Sequence, residues 1–388
     1  MFKIQTLNNI SKNGLGRLPS NLYSVANNVA DPDAILLRSA DMHGTAPAGS
    51  IKAVARAGAG VNNIPVAEFS KRGVPVFNAP GANANAVKEL VVAGMLISAR
   101  NLNDALSFVG GLNSNDDLHH KVEAEKKRFV GSELSGKTVG VVGLGAIGVK
   151  VANAARALGM NVLGFDPHMT IDGAWALSSD VAKAGSLNEL FAAADYISFH
   201  VPLNDATRGI FGAAALEAVK PGVVLLNFAR EGIIEPAVLK QGLESGRIGR
   251  YVTDFPSSDL LGNPRVIGLP HLGASTGEAE ENCALMVVDQ LRDFLENGNV
   301  HNAVNFPNIR MSRTGAARLC IANQNRPNMI GQLSHVLGEA SVNIAQMHNA
   351  SRGDIAYTLI DLDSPATNAL IASIGKIDGI LSVRAIAH

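Results

Sequence analysis

A short apolar run followed by three glycines at fixed spacing, Thr138-Val-Gly-Val-Val-Gly-Leu-Gly-Ala-Ile-Gly148, restricts this chain more than any other stretch. Val139, Val141 and Val142 have the composition of a strand buried on both faces of a parallel sheet. Gly143, Gly145 and Gly148 then supply the G-x-G-x-x-G spacing ahead of an apolar, alanine-rich helix. The first glycine permits a tight turn, the second lets backbone approach a pyrophosphate, and the third lets helix and strand pack closely. Phosphates would sit on the helix N-terminus, where free N–H groups and the positive dipole end favour an anion. A second strand over residues 161–165 ends at Asp166, 18 residues after Gly148. A carboxylate there accepts hydrogen bonds from ribose hydroxyls and repels a 2′-phosphate, which favours NAD over NADP. Glycines alone also suit a plain strand-to-helix turn. Here strand, glycines, helix, second strand and terminal acid arrive in order, which points to a dinucleotide.

At 388 residues the chain suits two or three domains, and 47% hydrophobic residues are enough for sizeable cores. Thirty-three basic residues against 34 acidic leave a net charge of -1, so bulk charge draws it neither to nucleic acid nor to a membrane. The two cysteines, Cys283 and Cys320, form no C-x-x-C and suggest neither a disulfide framework nor a metal site. Met-Phe-Lys-Ile-Gln-Thr runs straight into strand-like sequence without the apolar core of a signal peptide, and no apolar run approaches the ~20 residues that span a bilayer. These features predict a soluble cytoplasmic protein without metal, nucleic-acid or membrane partners.

Residues 2–7, 34–38, 53–56 and 74–78 read as short strands of a parallel sheet built from crossovers. After the third comes Arg56-Ala-Gly-Ala-Gly-Val-Asn-Asn63, a cation beside Gly58 and Gly60 that suits a phosphate or carboxylate and equally suits a tight turn with a surface arginine. Residues 78–85 are turn-rich and lead, as a hinge would, into an apolar helix over 86–99. The polar stretch 104–133 reads as a solvated face, with Lys127 and Arg128 able to reach an acidic substrate. Beyond Asp166, strands over 195–201, 223–227 and 249–253 end at Pro202, at Phe228-Ala-Arg230 and at Asp254, on the carboxyl edge where such sheets hold ligands. A helix between the last two starts at Pro236 and is closed by Gly246. The guanidinium of Arg230 fits a carboxylate and its neighbouring carbonyl. His271, after a strand over 266–270, suits proton transfer to or from an alcohol, aided by an acid beside it, and equally suits a structural role.

The run 131–148, together with Phe165-Asp-Pro167, Asn227-Phe-Ala-Arg230 and Pro270-His-Leu-Gly-Ala-Ser-Thr276, resembles the D-isomer-specific 2-hydroxyacid dehydrogenases over nearly the whole chain. The resemblance implies an α/β fold with a Rossmann doubly wound nucleotide-binding domain, residues 83–273, inserted in a flavodoxin-like substrate domain, residues 1–82 and 274–305. A helix over 277–296 would cross back to complete the latter. It implies NAD-dependent oxidation of a small phosphorylated 2-hydroxy acid, with Arg230 as carboxylate anchor, His271 as general acid/base, and Arg56 and Gly58 at the substrate. Cofactor contacts are implied at Gly143, Gly145, Ala146, Ile147, Gly148, Asp166, Pro202, Phe228, Ala229, Arg230, Asp254, His271 and Gly273. Two positions depart from the family pattern: Glu231 stands where glycine is usual, and Asp259 stands where the glutamate partner of His271 is expected, with Glu231 the competing acid.

After a linker, 306–315, segments over 318–322, 329–338, 343–350, 356–362, 368–375 and 381–387 read βαββαβ, with Arg352-Gly-Asp354 as the hairpin. With Asn325-Arg-Pro327 they resemble a ferredoxin-like ACT domain, residues 316–388, a small-molecule sensor that pairs with a second copy. Enzymes of this arrangement hold L-serine between two copies; Asn325 and Asn343 match two of the positions involved, and Asn323 stands where histidine is frequent. The resemblance therefore implies a homodimer or homotetramer with L-serine as effector, or else a dimerisation module that binds nothing. Two other functions stay open: reduction of hydroxypyruvate, glyoxylate or another 2-oxo acid, and an NAD-sensing regulator on the same fold.

Overall fold

The computed structural model describes residues 1–44, 48–113 and 117–387, so His388, at the end of the 316–388 range, lies outside them. It divides into two compact units: Ala84–Thr276, and Met1–Asn83 together with Gly277–His388. The first is a Rossmann fold. Seven parallel strands run in the order Val266–Gly268, Ile248–Thr253, Val223–Asn227, Tyr196–Phe199, Thr138–Val142, Asn161–Phe165, Ala182–Lys183. The order reverses beside Thr138–Val142, and such a switch point opens a crevice at the carboxyl ends of the strands. Tyr196–Phe199 is buried along its whole length and Thr138–Val142 at every residue but the first, as their largely apolar composition requires. Pro236 opens the helix Pro236–Glu244, and Gly246 closes it at φ +74°.

In the second unit five parallel strands take the flavodoxin-like order Tyr23–Ala26, Phe2–Thr6, Ala34–Leu37, Ala53–Arg56, Val76–Phe77. Tyr23–Ala26 is absent from the sequence reading; it is an edge strand with three of four residues exposed, and its Tyr-Ser-Val-Ala carries no apolar run. The helix Gly277–Asn297 lays Cys283, Ala284, Val287, Leu291, Phe294 and Leu295 into the core of this sheet.

The C-terminal strands form an antiparallel sheet in the order Ile344–Arg352, Ile355–Leu362, Ala317–Gln324, Ile380–Ala387. Helices Met329–Glu339 and Asn368–Gly375 cover one face over Leu319, Ile321, Ile360 and Leu362. The other face places Cys320, Ala322, Tyr357 and Leu359 in the same core as Phe294 and Phe306. Residues 306–315 are therefore not the polar linker that their sequence suggests: Phe306, Ile309 and Met311 are buried, because they fill the space between the two sheets' cores.

The last carbonyls of a helix have no partner within it. Here the C-terminal sheet and the segment leading to it donate to five carbonyls in succession, Phe294 to Gly298; Phe294 O also accepts from Gly298 N, and Gly298 lies just past the helix. Arg384 Nη2 donates to Phe294 O (2.5 Å) and Nη1 to Leu295 O (3.0 Å). Arg313 Nη1 reaches Glu296 O (3.3 Å), Arg318 Nη1 Asn297 O (2.9 Å) and the Tyr357 hydroxyl Gly298 O (2.9 Å). Three cations at the negative end of the helix dipole add to the hydrogen bonds. Arg318, 1% exposed, also forms a two-pronged pair with the fully buried Asp361 (2.6 and 2.8 Å) and donates to Met311 O and Ser312 O.

Among the described residues no helix is long and apolar enough to cross a membrane.

Candidate active site

The glycine turn is built for a close ligand. Gly143 sits at φ +91°, and a Cβ there would come within 2.7 Å of His200 O. A Cβ on Gly148 would overlap the carbonyl of Gly143. Gly145 differs: a Cβ there would meet no atom within 4 Å, so the space beside it is open. It is also the N-cap of the helix Ala146–Ala157 and makes no side-chain cap, which leaves the first N–H groups, those around Ala146 and Ile147, for an anion. Asp166 ends its strand with one oxygen accepting from Leu144 N and the other from His168 N, both at 2.8 Å. The loop that would hold the pyrophosphate and the acid that would hold the ribose are thereby tied together, and Pro167 and His168 put no arginine there for a 2′-phosphate. These residues fit a bound NAD.

Three neighbouring strands end level with one another, with Asn227 paired to Thr253 and Thr253 to Gly268. Phe228-Ala229-Arg230 and Asp254 follow directly, and His271 comes three residues after Gly268. Phe228 is buried; Arg230 is exposed and donates from Nη1 to Ala229 O at 2.6 Å. Pro202, after Tyr196–Phe199, offers its carbonyl to Thr207 Oγ1. His271 adopts φ +55°, a left-handed conformation uncommon outside glycine and asparagine, and its ring lies 4.8 Å from that of Phe255 at 54°. Asp254, 2% exposed, accepts from Leu272 N and Gly273 N at 2.7 Å each.

Asp259 is not brought to His271. It stands exposed in the one-turn helix Ser258–Leu260, pinned there by buried Leu260, and a hydrogen bond from the Ser257 hydroxyl holds its carboxyl below the usual range. Glu231 is exposed as well, and among the described residues no carboxylate is hydrogen-bonded to the His271 ring.

In the other unit, Arg56 closes the strand Ala53–Arg56 and lays its guanidinium over Gly58, where a Cβ would collide with Nη1. Arg38 was missed in the sequence. It follows Ala34–Leu37, whose Leu37 pairs with Arg56, and it bridges to Glu280 at 2.7 Å. Burial pushes the thiol of Cys283 up, and the positive charges of Arg38 and Arg56 act in the opposite direction. An arginine directly after an apolar strand, as at position 56, was the available signal.

Of the effector positions, Asn323 is buried with Nδ2 on Gln324 O (2.7 Å) and no partner for Oδ1, while Asn325 donates to Gly353 O (2.9 Å). Asn343 donates to Asp363 at the opposite end of the sheet. Ile344 pairs with Leu362 and Leu362 with Ala317, six residues from Asn323 along the strand. One copy therefore separates the two ends by roughly 20 Å.

The sequence profile described as D-isomer specific 2-hydroxyacid dehydrogenase, NAD binding domain, matches residues 93–273. The D-3-phosphoglycerate dehydrogenase of Methanocaldococcus jannaschii is 35% identical over 320 residues, 80% of this chain and 57% of that one. That of Haemophilus influenzae is 31% identical over 338 residues, 84% of this chain and 78% of that one. The chain accordingly spans little more than half the length of the first relative and over three quarters of the second. Among solved structures, the cofactor(NAD+)-bound 3-phosphoglycerate dehydrogenase of Entamoeba histolytica superposes with a TM-score of 0.61 at 25% identity, covering 78% of this chain and 98% of that one.

Proposed function

The chain belongs to the D-3-phosphoglycerate dehydrogenase family of D-isomer-specific 2-hydroxyacid dehydrogenases, and from that premise we propose that it oxidises 3-phospho-D-glycerate to 3-phosphohydroxypyruvate with NAD, the first step of L-serine synthesis. The observation that carries the reading is the level ending of three strands, which sets Arg230 and His271 on one edge of the sheet that bears the open glycine turn. Arg230 anchors the substrate carboxylate and the adjoining oxygen, since its planar fork matches both. His271 takes the proton from the 2-hydroxyl. NAD, when bound, supplies the hydride acceptor. Arg38 and Arg56 are assigned the phosphate, two permanent cations at the carboxyl ends of paired strands. The unpaired cysteines, both buried, support a cytoplasmic setting.

The test is NADH formation measured in parallel with 3-phosphoglycerate, D-lactate and glycerate, and repeated with NADP. The expected result is turnover with 3-phosphoglycerate and a kcat/KM for NAD far above that for NADP, because Asp166 repels a 2′-phosphate. Preference for an unphosphorylated acid would reassign the substrate, and equal use of NADP would remove the role given to Asp166.

Inhibition by L-serine across two copies of the C-terminal sheet is the accompanying proposal, and it brings with it a homodimer or homotetramer. Asn323 and Asn325 at one end and Asn343 at the other require a second copy to form one site, and a coupling of about 1–3 kcal/mol would suffice for control. Titration of L-serine should give both binding heat and loss of NADH formation. If millimolar serine gives neither, the sheet is left with a dimerising role alone.

A further inference from the structure

Arg230 and His271 both sit on loops, and loops are where backbone wanders. Yet each loop is gripped from below by one buried polar side chain. Asn227, 1% exposed, divides its amide between the turn above it and the neighbouring strand: Oδ1 accepts from Ala229 N (3.2 Å), and Nδ2 donates to Arg230 O (3.0 Å) and to the Tyr251 hydroxyl (3.3 Å). An N–H on one side and a carbonyl on the other leave the amide one orientation only. Asp254 does the same for the next loop, with one carboxylate oxygen on Leu272 N and the other on Gly273 N, the two residues after His271. The two grips are joined, since Asp254 N donates to Asn227 O at 3.2 Å. Gly273 belongs to the same device, because a Cβ there would come within 2.9 Å of Asp254 Oδ2.

We propose that Asn227 and Asp254 are positioning residues that act as one buried bracket, fixing the spacing between the substrate-anchoring Arg230 and the proton-transferring His271. The bracket rests on the function proposed above for the roles of those two side chains, and on hydrogen-bond geometry alone for its existence. Neither residue needs to touch the substrate. Asn227 holds the backbone of the anchor itself, at its carbonyl, so the guanidinium starts from a fixed root. The left-handed backbone at His271 is held from the other side by the two amides that Asp254 accepts. A shift of about 1 Å in either group can cost roughly a hundredfold in rate, so a bracket on both is worth more than either alone.

The test has one arm that needs no activity. In the unaltered apoprotein the amides of Ala229, Leu272 and Gly273 should exchange with solvent at least about a hundredfold more slowly than free peptide, as buried bonded amides do. Rapid exchange at these three sites overturns the bracket whatever the enzyme catalyses. In the kinetic arm, Asn227→Asp keeps the bond to Ala229 N and sets an oxygen against Arg230 O, and it should raise the hydroxy-acid KM by about tenfold or more. Tyr251→Phe, which removes only the hydroxyl, should move KM the same way by less, and it serves where Asn227→Asp does not fold. A merely structural role would lower the folded fraction and leave KM where it was, so an unchanged KM in both variants sinks the proposal. A protein silent toward every hydroxy acid removes the functional reading instead, and exchange at the three amides still decides the bracket.

Discussion

Replacing His271 with alanine is expected to lower kcat by roughly 10²–10⁴-fold, the contribution of a positioned acid/base, while the NADH dissociation constant stays close to that of the unaltered protein. The argument is geometric. The strand before His271 ends level with the one before Arg230, and the imidazole is exposed where a substrate hydroxyl can reach it. His271→Asn is the better-matched companion, because asparagine tolerates the left-handed backbone that histidine adopts here and brings no base. Asp259→Asn should leave kcat near its starting value, since that carboxylate is exposed and bonded to Ser257 rather than to the ring. Steady-state rates and NADH fluorescence titrations check all three. An alanine variant that keeps more than about a tenth of the starting kcat would place the proton transfer on another group.

The largest loss of stability is expected from Arg318→Ala. Removing one partner of a buried pair leaves the other as an uncompensated charge, at a cost of about 3–5 kcal/mol, and Asp361 is fully buried. The same change leaves Asn297 O, Met311 O and Ser312 O without their donors. Replacing both members, Arg318→Met with Asp361→Leu, should recover the part of the loss due to the uncompensated charge but not the part due to the three carbonyls. Denaturant unfolding followed by circular dichroism, with hydrogen exchange over residues 317–324, makes the measurement. The single tryptophan, Trp175, belongs to the other unit and would not report it. A loss below about 1 kcal/mol would mean that water reaches the pair. The pair also has a pH signature. Burial pushes the Asp361 carboxyl up, but Arg318 and the Thr314 N–H outweigh it and hold it below the usual range. Its stabilisation is therefore present above the unfolded value of about 3.9 and is lost as pH falls through the folded value.

Local features of the fold could be read from the chain and tertiary ones could not. Val139 to Gly148 and Asp166 announce the nucleotide unit because glycine spacing and strand composition are properties of adjacent residues. The C-terminal βαββαβ order is legible for the same reason. Arg318 reads only as the first residue of a strand; arginine is almost never fully buried unless paired, and its partner lies 43 residues away. Phe306, Ile309 and Met311 alternate with polar residues and look like a linker until the two cores on either side are in place. Asp259 makes no hydrogen bond to the His271 ring: its place in the loop after Asp254 says nothing of which way a one-turn helix faces, and here buried Leu260 turns inward while Asp259 stays exposed. Asn227 passed as the last residue of a strand, because its three partners become neighbours only when the chain turns over it.

The bonded carbonyls at the end of Gly277–Asn297, with Gly298 just past it, bear on what can be cut from this chain. A sensor domain joined by a tether can be trimmed off to leave a working enzyme behind. Here the trim would take Arg384 from Phe294 O and Leu295 O, Arg318 from Asn297 O and Tyr357 from Gly298 O, and lay Phe294 and Phe306 open to water. The helix so damaged begins six residues after His271 in the chain and carries the core of the five-stranded sheet. The C-terminal sheet from Ala317 onward is thus a part of the body rather than an accessory to it, and a shortened chain has to be redesigned along this helix before it can serve as a catalytic fragment.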